Sequence, residues 1–431
     1  MKFNSKIIEQ KSFYTWLTLV FLFGQWVLIA LTSVNVPAGD EWENLNAGAL
    51  PSGFSFEYLF AFHNEHRIVF TKLLTYAFFY LTHWNLSYHV IFNYTLFAAV
   101  VLFFMFFQKK FISQSSKGLW ILPFFLTSPL LIDNHNWAIQ SCFHFCVLFG
   151  VLGIFFATRE HLRNIHFWLA GLLGLGSMYS LAAGAFFTLT VLFVLLYRLL
   201  VGPRKSLSEW ALQTAAVAAL IAGIGAWFIG FHSPSEQPVF TWPYKIDFWY
   251  FYANLISLGF GFKTSSAIIA ALALGIVAFV LGKSFKAAFS FKQHFVSLGF
   301  FGSLAVLGAF GSIALARTGY GIGQAKTSRY AELGVLLVLY IGWLLWKMAQ
   351  ETPKYQRLFK YFIWFVFIGF LGDYSYPKYF SVAEERQEGL RCISKYYSGE
   401  NKTGDCPVLY PGPLAERLER AKAMKLSWVP F

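Results

Sequence analysis

The chain has 431 residues, of which 57% are hydrophobic and 20% aromatic, while only 13% are charged. A soluble domain carries about 25% charged residues, so the composition excludes an ordinary water-soluble fold. The net charge of +13 does not point to nucleic acid: the basic residues are not gathered on one soluble face but sit in short loops between apolar runs.

Taken in chain order, the apolar runs predict an all-α polytopic membrane protein with about eleven crossings, each approaching the roughly 20 residues that span a bilayer. They fall near 14–33, 86–107, 118–132, 141–157, 166–182, 185–201, 209–231, 265–282, 294–315, 330–347 and 360–372. The first is too long for a signal peptide and lacks its small-residue cleavage pattern, so it is read as a retained helix. Basic residues cluster in alternate loops: Lys2, Lys6 and Lys11, then Lys109, Lys110 and Lys117, Arg159 and Arg163, Arg198, Arg204 and Lys205, Lys283, Lys286 and Lys292, and finally Lys347, Lys354, Arg357 and Lys360. The positive-inside rule makes these loops cytoplasmic together, with the N-terminus, and puts the C-terminus on the opposite side.

That arrangement requires one apolar stretch not to cross. Residues 66–84 contain Arg67, Lys72 and His83, and a mid-helix Lys costs roughly 2.5–3.5 kcal/mol to insert. They are read as an interfacial helix ending at Trp84, within one long external loop, 35–85. The Trp- and Tyr-rich segment Asp247–Phe262 is read as a second interfacial helix. Residues 1–372 thus form the membrane domain and 373–431 a small external tail, in which Pro413–Leu426 is amphipathic, with Leu414, Leu418 and Met424 toward one side. No internal repeat or low-complexity segment is visible. Cys392 and Cys406 lie in this tail, where an oxidising compartment favours a disulfide. Cys142, His144 and Cys146 have a metal-like look, but no second ligand pair accompanies them, and they read as small core residues at a polar helix end.

Polar groups collect in the loops of one side. They are Asp40-Glu41-Trp42-Glu43, then His63-Asn64-Glu65-His66-Arg67, then Asp133 to Trp137, and the loop from Arg317 to Tyr330 with Lys326 and Arg329. Carboxylates and arginines on one face suit a site for a phosphate-bearing lipid, where a carboxylate acts as general base and arginines hold phosphate. Each also has a structural reading. Asp40 with Glu43 would make a capping box; Arg329, His66 and Arg67 would anchor helix ends at the headgroups; Asp133 would cap a helix.

The first 150 residues resemble the GT-C superfamily of polyprenyl-phosphate-sugar glycosyltransferases, which includes bacterial aminoarabinose transferases, protein mannosyltransferases and oligosaccharyltransferases. Asp40-Glu41 stands where that family has an acidic motif after its first helix. Asn64-Glu65-His66-Arg67 stands at its Glu-Lys/His-Pro-Pro motif, without the two prolines. Phe107-Gln-Lys-Lys110 matches a basic cytoplasmic helix end, and Thr127-Ser-Pro129 through Asp133 a second external acid. The Glu-His-Arg, Ser-Arg-Tyr and two-cysteine pattern also resembles a group of bacterial membrane proteins without an assigned substrate. The resemblance implies a bacterial inner-membrane enzyme with a periplasmic site, moving a sugar from a polyprenyl-phosphate donor to a lipid or glycan acceptor with inversion. It implies Asp40 as base, with Glu41 and Asp133 orienting the acceptor or holding a divalent metal, which only some branches use. Donor phosphate would fall to His66, Arg67, Lys326 and Arg329, and the acceptor or sugar to Glu65, His135, Trp137 and Tyr330. The other readings are a polysaccharide polymerase, which lacks an early Asp-Glu loop, and a lipid-linked glycan flippase or transporter. The last predicts mid-membrane charges, of which the sequence has few, and paired halves, of which it has none.

Overall fold

A computed structural model describes residues 2–111, 121–202, 206–231, 238–373 and 375–430, with the side chains of 2–12 and Phe111 left aside. Lys2, Lys6, Lys11, Lys117, Arg204 and Lys205, and the start of the expected 118–132 crossing, lie outside that description. The described chain is helical, with no strand among the described residues. This is the expected solution for a lipid-embedded backbone, which must satisfy its own hydrogen bonds.

In order, the helices are α1 (Lys2–Thr32), α2 (Phe56–Phe60), α3 (Val69–Thr82), α4 (Leu86–Phe111), α5 (Leu122–Phe125), α6 (Ile132–Asn136), α7 (Ser141–Ala157), α8 (Asn164–Met178) and α9 (Gly184–Val201). They continue with α10 (Leu207–Trp227), α11 (Ile246–Gly259), α12 (Ala267–Ser290), α13 (His294–Arg317), α14 (Ala331–Glu351), α15 (Lys354–Leu371), α16 (Tyr376–Tyr397) and α17 (Ala415–Ala423). Nine segments among the described residues are long and apolar enough to span a bilayer: those built on α1, α4, α7, α9, α10, α12, α13, α14 and α15. Two expected crossings are not among them. The helix α8 has 15 residues, about 22 Å at 1.5 Å per residue. The 118–132 stretch is broken, because Pro123 and Pro129 confine it to the short α5 and a one-turn 3-10 helix, Pro129–Leu131.

The centre of the bundle is α14, whose apolar window is 94% buried, against 28% for α1 and α10. Residues such as Phe23, Leu31, Leu212 and Ile221 leave apolar side chains exposed on those outer helices. Such a surface suits lipid rather than water. The chain runs back and forth so that one end of the bundle gathers the basic loops. There Arg198 donates to the Glu160 carbonyl and His294 pairs with the Phe155 carbonyl. The opposite end gathers residues 35–85, 128–140, 317–330 and the tail.

The helix α3 is short and apolar, as expected of a helix that does not cross, but it begins at Val69 rather than 66. Lys72 is not at a lipid interface. It is buried, and its ammonium donates to the Tyr58 and Ala61 carbonyls at 2.7 and 2.8 Å. The helix α11 departs further from expectation, since residues Ala253 to Gly259 are buried rather than laid on an interface. A Cβ on Gly259 would come within 2.3 Å of the Gly334 carbonyl oxygen of α14. Two glycines in register let these backbones touch, and α11 sinks between helices instead of facing lipid.

In the tail, Cys392 and Cys406 are joined by a disulfide, with Cα atoms 5.9 Å apart, while Cys142 and Cys146 are free and buried. The 22-residue α16 was not foreseen. Its buried positions Tyr379, Ala383, Gly389 and Ile393 are sparse, and seven of the other eighteen residues are charged. Leu414 and Leu418 are fully buried, as the amphipathic reading of this segment requires.

Candidate functional site

Four segments build the site end of the bundle. The first is a 3-10 helix, Gly39–Leu45, that follows α1. A 3-10 helix repeats every three residues, so Asp40 and Glu43 share one face. Both reach His63: its Nε2 is 3.7 Å from Asp40 Oδ2 and its Nδ1 is 3.2 Å from Glu43 Oε2. Burial opposes a charge on His63, but the two carboxylates overcome it and hold the pKa up at about 9. Contact with His63 in turn holds the Asp40 carboxyl below its usual range against partial burial, with Arg329 adding to the effect.

Glu41 does something different. Its carboxylate accepts from the Ala38 N–H at 2.9 Å and the Ile139 N–H at 3.2 Å, and Arg386 of α16 stands 3.7 Å away. Only 2% of the residue is exposed, and burial raises its pKa despite Arg386. The capping box expected of Asp40 and Glu43 is therefore not formed, the N-cap standing two residues earlier. Ala38 is the N-cap and Glu41 the reciprocal third residue, which leaves Asp40 uncapped and 47% exposed. Gly39 makes the turn possible. Its φ is +52°, and a Cβ would lie 2.8 Å from the Trp137 ring. Trp137 donates through Nε1 to the Ala38 carbonyl at 3.0 Å. It supports the acidic segment from behind rather than offering its indole N–H to a ligand.

The second segment is the turn His63 to His66, closed by reciprocal backbone hydrogen bonds of 2.7 and 3.0 Å, with Asn64 at φ +52°. Asn tolerates that left-handed geometry well. The turn puts His63 on one side and Glu65-His66 on the other. Glu65 pairs with Arg317 and lies 3.4 Å from His66 Nε2. Burial drops the His66 pKa to about 4, although Glu65 pulls it up, so at neutral pH this ring is no cation for a phosphate. Arg67 is not free either. All three of its nitrogens donate to backbone carbonyls, those of Phe60, Trp227 and Ile229, and its guanidinium lies 4.0 Å over the Phe62 ring. It ties the turn to the end of α10.

The third segment, residues 317–330, shows the same division. Lys326 donates to the Asn254 carbonyl, the Ser257 hydroxyl and the Phe262 carbonyl at 3.0, 2.6 and 2.9 Å, closing the end of α11. Burial lowers its pKa to about 7. Arg329 has no such duty. Its Nε is buried without a hydrogen-bond partner among the described residues. Its backbone is held by Asn134, which donates to the Arg329 carbonyl and to Glu332. His144 joins this network through Glu332 and the Asn134 carbonyl, which accounts for the Cys-His-Cys pattern without a metal. Tyr330 is buried beside Phe143.

The fourth segment is the tail. Lys378 pairs with Asp133 at 2.9 Å, and Tyr379 meets the buried His135 at 3.0 Å. Asp133 and His135 thus dock α16 on α6. Arg417 and Arg420 hold Asn46 and the Leu45 carbonyl, Gly39 donates to the Leu409 carbonyl, and Trp42 packs edge-on against Trp428. The disulfide-closed tail clamps the acidic segment.

Two hollows open here with the 63–66 turn as their common wall. One, of about 380 Å³, is lined by Asp40, Glu43, Tyr58, His63 and Lys72 over a floor of Trp84 and His89. The other, of about 170 Å³, is lined by Glu65, His66, Arg317 and Arg329 with apolar walls including Leu181 and Ile313. Among the described residues no three His, Cys, Asp or Glu side chains gather as a metal-binding group. His63, Glu43, Arg317 and Arg386 are the site residues that sequence reasoning passed over. The three-residue spacing of Asp40 and Glu43, read as a 3-10 face, is the signal for Glu43. Comparison with protein-family models, curated proteins and solved structures finds no match to this chain.

Proposed function

We propose that the chain is an inverting membrane glycosyltransferase that moves a sugar from a polyprenyl-phosphate donor to a hydroxyl of a lipid or glycan acceptor. One observation carries the reading: of the charged groups expected at the site, Asp40 and Arg329 line hollows without being spent on backbone hydrogen bonds among the described residues, Asp40 meeting only the His63 side chain. They line hollows on either side of one turn, close enough for the Arg329 charge to act on Asp40.

On this reading the acceptor hydroxyl attacks the anomeric carbon while Asp40 takes its proton. A new glycosidic C–O bond forms as the bond from that carbon to the phosphate oxygen breaks, and polyprenyl phosphate leaves with an added negative charge. Arg329 stabilises that charge, and the apolar walls of the smaller hollow suit a prenyl chain. A depressed pKa leaves Asp40 ionised at neutral pH. It is a weak base toward a free alcohol but an adequate one once C–O bond formation acidifies the hydroxyl. His63 holds the carboxylate in place. The basic loops of the opposite end argue for a periplasmic site in a bacterial inner membrane, with a cytoplasmic N-terminus.

The test is transfer by purified protein from a set of polyprenyl-phosphate sugars. Asp40→Asn is expected to lose transfer without losing its fold. Near-normal transfer by that variant would remove Asp40 as the base.

A further inference from the structure

The larger hollow is not finished by the protein around it. Its floor carries His89, 1% exposed, with neither ring nitrogen hydrogen-bonded among the described residues. Beside it, Trp84 is also 1% exposed, and its indole N–H has no partner among the described residues. Leaving such groups unmade costs about 1–3 kcal/mol each. Trp84 is also held in an unusual backbone. His83 and Trp84 have φ of +51° and +56°, a region that bulky residues avoid at a cost of roughly 1–2 kcal/mol each. His89 is fixed by stacking on Phe78 at 4.9 Å. Two costly features thus converge on one cavity. Apolar residues at positions 84 and 89 would have avoided the unmade hydrogen bonds.

The chemistry of the walls narrows the occupant. Trp84 can only donate, His89 donates from one nitrogen and accepts at the other, and Lys72 has used two of its three protons. Asp40 and Glu43 accept at the rim. Glu41 is taken up by Arg386, while Asp40, Glu43 and the exposed Glu57 face Lys72 and His63, so the hollow disfavours an anion. Donors on the floor and carboxylate acceptors at the rim, beside aromatic rings, match a ring bearing several hydroxyls. At about 380 Å³ the space is within the usual range of small-ligand sites.

We propose that this hollow binds a neutral sugar ring, held from beneath by Trp84 and His89, with one hydroxyl at Asp40. Its standing as the acceptor site rests on the reading of Asp40 as base; the binding itself rests on the unpartnered floor.

The experiment uses the full chain in detergent with methyl glycosides of glucose, galactose, mannose and N-acetylglucosamine as probes. For a glycoside held at about ten times its dissociation constant, the thermal transition is expected to rise by about 1–2 °C. His89→Phe keeps the stack on Phe78 and removes both nitrogens; it should fold and lose the rise. Should that variant fail to fold, Trp84→Phe keeps a ring, removes the N–H, and gives the same reading. An equal rise in wild type and variant is general exclusion of sugar from the surface and overturns the proposal. No rise with any glycoside also overturns it and leaves the hollow to water. Asp40→Asn should keep the rise while losing transfer. Lost transfer with no rise in wild type sinks this inference alone, and a rise with undiminished transfer in Asp40→Asn sinks the base assignment alone.

Discussion

The acidic segment after α1 and the basic segment before α14 come from distant parts of the chain and are built alike. In the first, Glu41 turns inward onto two backbone N–H groups and Arg386, while Asp40, its neighbour, stays at the rim of a hollow. In the second, Lys326 turns inward onto three oxygens of α11 and its following loop, while Arg329, three residues on, keeps a buried nitrogen without a hydrogen-bond partner among the described residues. Each segment fixes itself with one charged group bonded to the surrounding fold and sets a second at a hollow. A charged residue in a membrane-protein loop is therefore read by its partners: a side chain whose hydrogen bonds are filled by backbone is holding the fold, whatever its charge would allow it to do.

The comparison breaks most visibly at Asp40. Asp40→Asn should lower transfer by about 10²–10⁴-fold, the usual range for a lost general base, with a melting temperature lowered only slightly through the weakened His63 contact. Next in size is the clamp over the acidic segment. Replacing Cys392 and Cys406 by serine opens a loop whose closure stabilises by about 3 kcal/mol on the chain-entropy model. Limited proteolysis should then cut the tail at lower protease, and transfer should fall because the Asp40 loop has lost its backing. The basic segment separates the two roles. Arg329→Ala should weaken donor binding and turnover together by roughly 10–100-fold, with Arg329→Lys restoring only part, since an ammonium lacks the guanidinium fork. It should leave the melting temperature in place. Lys326→Met should do the reverse, lowering the melting temperature through three orphaned acceptors with transfer per folded molecule nearly intact. Transfer that followed Lys326 and ignored Arg329 would invert the assignment.

The sequence already carried the helical fold, because runs of apolar residues near bilayer length need no partner to be recognised. It also carried α3 as a separate short apolar helix, though not the burial of Lys72 on two carbonyls, and the pairing of the tail cysteines. Which charged residues are free was not legible. Arg67, Lys326 and Arg329 look alike as letters, and their roles are decided by carbonyls of α10, α11 and neighbouring loops that come close only on folding. The register of the acidic segment was misread because a capping box at Asp40 and one at Ala38 differ by two residues, and no local rule chooses between them. Trp137 against Gly39 chooses. His63 was overlooked for the same reason: its two carboxylate partners lie some twenty residues earlier, on a 3-10 face that helical periodicity does not anticipate. The helix α16 stayed hidden because its docking stripe is too sparse to register as amphipathic.

The smallest expected effect concerns how the free carboxylate is held. His63 is raised from an ordinary 6.5 to about 9 by Asp40 and Glu43 against the cost of burial. A group whose pKa is raised on folding stabilises the folded state fully below its unfolded pKa, and that stabilisation disappears as pH rises through the folded value. The contribution should therefore be complete below about pH 6.5, fade between there and about 9, and be absent above. Asp40 and Glu43 are 47% and 38% exposed, so solvent screens the contact and the stabilisation is on the order of 1 kcal/mol rather than the full value of the shift. Asp40, whose pKa is depressed, works in the opposite window, losing its contribution only as pH falls through its folded value. His63→Gln keeps a polar side chain without the charge. Melting temperatures of wild type and His63→Gln should differ most near pH 6 and converge above pH 9. If the difference instead grows with pH, His63 is neutral in the fold, and the cation holding Asp40 must be Arg329, which would draw the two segments of the comparison into direct contact.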